Sequence, residues 1–92
     1  MKSVHKYSLI VTDEQTLDLP RGAEILSVAN QREHIVLYAL VDTDVKAIDR
    51  HTIYVHGTGH GVYGDGIAFI GTVAMSGGYL MFHVFRKIKE RS

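Results

Sequence analysis

The residue types that could do chemistry concentrate in Gly57-Thr58-Gly59-His60-Gly61-Val62-Tyr63-Gly64-Asp65-Gly66, which holds five of the nine glycines. Glycine lacks a Cβ, so a backbone there can approach a ligand closely and reach φ > 0. Successive amide N–H groups in such turns form anion-binding nests. His60, Tyr63 and Asp65 add donors, acceptors and a ring for stacking. The segment therefore predicts a contact for a phosphate or a nucleotide, lined by Gly57, Thr58, Gly59, His60, Gly61, Tyr63 and Asp65. Arg50, at the start of the strand leading in, is the candidate for charge pairing with that anion. His83 is a candidate for one wall of the same pocket. The competing reading of the segment is an inter-strand loop with no ligand.

Other chemistries fit less well. Gly59, Gly61 and Gly64 formally match G-x-G-x-x-G, but that motif needs a helix after it, and here a strand pattern follows. Six histidines (His5, His34, His51, His56, His60 and His83) raise a metal site. Five residues separate His51 from His56, which puts them on opposite faces of a strand. There is no cysteine to supply a thiolate, so no metal and no cofactor is expected. Ser3, Ser8, Ser27, Ser76 and Ser92 show no partnered base. A His60–Asp65 pair is the one general-base candidate, and it makes a small hydrolase the third-ranked reading. No catalytic residue is assigned.

The elements that must position these groups are strands. Val4 to Val11 alternates, with Tyr7, Leu9 and Val11 on one face. Asp13 to Pro20 reads as a loop with Leu17 and Leu19 as an apolar plug, and Pro20-Arg21-Gly22 as a turn. Glu24 to Asn30 is a second strand, and Asn30-Gln31-Arg32 a hairpin tip. His34 to Val41 is apolar on both faces, the mark of a central strand. Asp42 to Asp49 is a polar connection with room for one helical turn. Arg50 to Thr58, Ile67 to Met75 and Tyr79 to Arg86 complete six strands, with Ser76-Gly77-Gly78 as a tight turn. The expected fold is all-β, a small sandwich or partly open barrel, in one domain spanning residues 1–92 with a polar tail over 87–92.

Composition bounds the partners. A chain of 92 residues buries only about 60–65% of its unfolded surface. Its 46% hydrophobic content and the two-sided apolar hairpin Tyr79 to Phe85 together predict a homo-oligomer. Ten basic and ten acidic residues cancel, which argues against nucleic-acid binding. No segment approaches the roughly 18 apolar residues of a membrane span, and Met1 to Lys6 holds no signal-peptide run. With no cysteine, the expected location is cytoplasmic.

Taken in order, Lys6-Tyr7, Leu19-Pro20, Gly22-Ala23, Leu37 to Asp42, Gly57-Thr58-Gly59-His60, Ile70 to Val73 and His83-Val84-Phe85 give the chain a family likeness. It resembles a group of short phage and prophage proteins carrying a domain of unknown function. Members often have proline where this chain has Gly61, and tryptophan where it has Tyr38 and Phe82. The resemblance implies a compact, non-enzymatic phage protein in a host cytoplasm. One such role is sequestering a nucleotide-derived immune signal without cleaving it. The alternative is a structural or protein–protein interaction module with no small-molecule ligand.

Overall fold

The computed structural model describes residues 1–62 and 65–88. Among them are seven strands: β1 (Lys2–Leu9), β2 (Gln15–Pro20), β3 (Glu24–Gln31), β4 (His34–Asp42), β5 (Ile48–Gly57), β6 (Ile67–Met75) and β7 (Leu80–Lys87). They form two antiparallel sheets, β1-β4-β3 and β2-β5-β7-β6. The fold is all-β, as the alternation predicts, and of the two architectures expected it is the sandwich.

The seventh strand is β2, in the stretch read from sequence as a plugged loop. Leu17 and Leu19 alternate with Thr16 and Asp18, and this period of two pairs Gln15–Pro20 against β5. The segment is short and ends in proline, so it can serve only as an edge strand. β1 stops at Leu9, which leaves Val11 exposed rather than on the buried face. The 42–49 connection forms turns and no helix, and β5 begins two residues before Arg50.

The core lies between the sheets. Ile35, Leu37, Ala39 and Val41 of β4 face Leu19, Ile53, Val55, Val73 and Val84. β4 is the middle strand of its sheet, which explains its two-sided apolar pattern. Its other face carries Val36, Tyr38 and Leu40 on the outside of the sandwich, opposite Ser8, Lys6 and Val4 of β1.

The two sheets meet along β3 and β6. Asn30 Nδ2 donates to the Ala74 carbonyl at 2.9 Å, and the Ser76 amide donates to Glu33 Oε2 at 2.9 Å. A bulge between Phe69 and Gly71 aims the β6 backbone at β3. A Cβ on Gly71 would lie 2.9 Å from Val28 Cγ2. Gly71→Ala is therefore expected to destabilise the protein by about 1–2 kcal/mol through overpacking. Adding Val28→Ala should recover part of that loss, because the two sites share one contact. Urea unfolding of the two single variants and the double variant checks this. Strict additivity would mean that the seam is not closed at this point.

Candidate functional site

The glycine segment leaves the end of β5 through a tight turn. The His60 amide donates to the Gly57 carbonyl at 3.2 Å, with Gly59 at φ +87° between them. The His60 ring folds back over Gly57, where a Cβ would meet its Cε1 at 3.1 Å. Gly66, at φ +72°, accepts from the Ile88 amide at 2.7 Å. Three of the five glycines thus have conformational reasons to be there. Tyr63 and Gly64 lie outside the described residues.

His83 anchors the near end of this loop. Its Nε2 lies 2.8 Å from Thr58 Oγ1 and its Nδ1 lies 2.9 Å from Thr72 Oγ1. A hydroxyl can donate or accept, so both ring nitrogens are satisfied in either tautomer. His83 is therefore the packed, hydrogen-bonded residue that ties the glycine turn to β6. No hydrogen bond or ion pair among the described residues joins His60 to Asp65, so the general-base pair is not assembled there.

Arg50 sits away from this loop. Seven residues of extended chain separate it from Gly57, roughly 23 Å at about 3.3 Å per residue. Its Nε donates to Asp18 Oδ1 at 3.0 Å, and this contact raises the guanidinium pKa further. The structure brings together Gly57, Thr58, Gly59, His60 and His83, and leaves Arg50 at the far end of the strand.

The recess beside the loop is acidic. A recess of about 160 Å³ beside Gly61 is lined by Asp13, Glu14, Tyr54 and His56. An anion placed there would meet two carboxylates. The one arginine proposed to offset them is occupied elsewhere.

The positive counterpart lies on the outer face of the three-stranded sheet. Lys6, Ser8, Gln31, Arg32, His34 and Val36 line a shallow recess of about 390 Å³. Register explains the grouping: Ser8 pairs with Val36 and Gln31 with His34, so their side chains share a face. Lys6 Nζ donates to Gln31 Oε1 at 2.6 Å. Among the described residues no carboxylate lines this recess. Arg32 makes no ion pair among the described residues.

The backbone at Arg32 is strained. Arg32 and Glu33 form the two-residue tip of the β3–β4 hairpin with φ of 52° and 63°. Such tips require φ > 0 at both positions, which strongly favours Asn-Gly and related pairs. A residue with a Cβ loses about 1–2 kcal/mol in this conformation. Asn30 Oδ1 accepts from the Glu33 amide at 2.9 Å and holds the tip in shape. Glu33 offsets its strain through its bond from the Ser76 amide, just after β6, whereas no contact of the Arg32 guanidinium among the described residues does the same.

Sequence reasoning missed both recesses. Polar alternation in Lys6-x-Ser8 was a signal for the first, and Tyr54-x-His56 for the second. Neither identified a site until the pairing partners were known.

The chain is thus an antiparallel β-sandwich with small polar recesses on the outer faces of both sheets. It belongs to the family defined by a domain of unknown function (DUF7352), whose model matches residues 1–92. No curated protein and no solved structure gives a match. Among the described residues no helix is long and apolar enough to cross a membrane, and no three His, Cys, Asp or Glu side chains converge on a metal position.

Proposed function

We propose that the protein is a non-enzymatic binding module for a small anionic ligand of nucleotide type, held on the outer face of the three-stranded sheet. The observation that carries this reading is Arg32. It occupies a left-handed position that glycine or asparagine would fill with less strain, and its guanidinium has no carboxylate partner. Strained residues held in place by their surroundings concentrate at functional sites. Lys6 and His34 add an ammonium and an imidazole to the same recess, and Ser8 and Gln31 add neutral hydrogen-bonding groups. Tyr38 lies across from Lys6 on the same face, where its ring can flank a base. No nucleophile with a partnered base is present there, so the ligand is bound and not cleaved.

The likeness to short phage and prophage proteins supports a setting for this activity, the sequestration of a nucleotide-derived host signal in the cytoplasm. Isothermal calorimetry with ADP-ribose derivatives and cyclic dinucleotides tests the reading. Binding should be detectable and should weaken as salt rises from 0.05 to 0.5 M, values chosen so that the Debye length falls from about 14 to about 4 Å. Silence across the panel would overturn it.

A second reading, an interaction module or homo-oligomer, is favoured by the tip of the last hairpin. Tyr79 is 91% exposed there, and Leu80 and Met81 beside it are also exposed.

A further inference from the structure

We propose that the recess bounded by Asp13, Glu14, Tyr54, His56 and Gly61 binds a compact organic cation, a protonated primary amine or a guanidinium group. This site is independent of the anion recess, because the two lie on the outer faces of different sheets.

The argument begins with His56. It is the one buried polar side chain among the described residues, at 6% exposure. Its ring stacks on Tyr54 with centroids 6.3 Å apart and planes within 8°, and Phe85 lies 6.2 Å away on a tilted plane. A histidine this enclosed ordinarily has its ring nitrogens hydrogen-bonded. Here Nδ1 has no hydrogen-bond partner. The nearest carboxylate oxygen, Asp13 Oδ1, is 4.0 Å away, beyond hydrogen-bond reach. The ring is held by packing, and its buried, unpartnered Nδ1 lies beside Asp13, which lines the same recess.

The remaining lining selects the ligand. Asp13 and Glu14 contribute two negative charges, and among the described residues neither lysine nor arginine lines the recess. Asp13 is 94% exposed, so its carboxylate is free to turn onto a ligand. The face of Tyr54 attracts a cation through its ring quadrupole. A ring nitrogen carrying a lone pair can accept from an N–H donor, so Nδ1 becomes available to a ligand that turns the Asp13 side chain aside. A metal ion fits less well, since no three ligating side chains converge among the described residues. A volume of about 160 Å³ is about five water equivalents at about 30 Å³ each, room for an ammonium or guanidinium head with a short alkyl stem. The cation can come from a free metabolite or from a lysine or arginine of a partner chain.

NMR titration of the full chain distinguishes these sources. Butylammonium and methylguanidinium are the free probes, acetyl-Gly-Lys-Gly-amide is the tethered one, and butanol is the neutral control. Saturable shifts at the His56 ring and the Gly61 amide are expected with the charged probes, with butanol at least about tenfold weaker. The Asp13→Asn/Glu14→Gln double variant changes only exposed side chains, so its melting temperature should match the parent. Its affinity for the cations should fall by about tenfold or more. Binding of the free probes assigns a small molecule, and binding of the peptide alone assigns a partner side chain; both uphold the cation site. Equal shifts with butanol, undiminished binding in the double variant, or a response to zinc ions without one to amines would overturn it.

Discussion

Leu37→Ala is expected to lower the unfolding free energy by about 3 kcal/mol, within the 2–5 kcal/mol range for emptying a close-packed site. Leu37 has no exposed surface and lies in the middle of β4, facing the second sheet. A chain of 92 residues has only about 5–14 kcal/mol of total stability at 0.05–0.15 kcal/mol per residue. The substitution should therefore lower the melting temperature by roughly 12–24 °C, at about 4–8 °C per kcal/mol for a domain of this size. Leu40 is the matched control, since it sits on the same strand but on the outer, half-buried face. Leu40→Ala should lose about 1 kcal/mol, in proportion to the smaller area it removes from water. Equal losses at the two positions would mean that β4 is covered on both faces, and so that a further layer or a second chain packs outside the three-stranded sheet.

The contrast between Leu37 and Leu40 also shows how far the sequence could be read. Apolar residues on both faces of His34 to Val41 marked a central strand, and β4 is one. Alternation alone could not say which face met the core, because both faces carry large apolar residues. It also failed for Gln15–Pro20. Two leucines separated by one aspartate give too few repeats for a period, and Pro20 opens the turn with Arg21 and Gly22. That segment becomes β2 only because the free edge of β5 is there to pair with it, a tertiary fact.

The candidate sites were legible to different degrees. The turn around Gly59 could be anticipated, since glycine is the residue for φ > 0. The pairing of His83 with Thr58 and Thr72 spans three elements and leaves no local trace. Arg50 stands near the start of β5 and Gly57 at its end, so the length of the strand keeps the two apart. Lys6 and Arg32 stand 26 positions apart in the chain, and only the joint register of β1, β4 and β3 sets them around one recess.

The second large effect concerns that recess. A Lys6→Ala/Arg32→Gly double variant should bind an anionic nucleotide about 30- to 100-fold more weakly, through the loss of two charge-assisted contacts partly screened by solvent. Its melting temperature should equal or exceed the parent's, because glycine at position 32 relieves the left-handed strain. Affinity and stability would then move in opposite directions, which is the signature of a residue kept for binding. A fall in stability with no change in affinity would identify Arg32 as a purely structural part of the hairpin tip.

The location of the anion tests the account most directly. Backbone amide NMR during titration with ADP-ribose reports every face of the sandwich at once. The account predicts saturable shifts at Ser8, Gln31, Arg32 and His34, with little change at Thr58, Gly59 and His60. Shifts centred on Gly59 to Gly61, with the outer face of the three-stranded sheet unmoved, would contradict it.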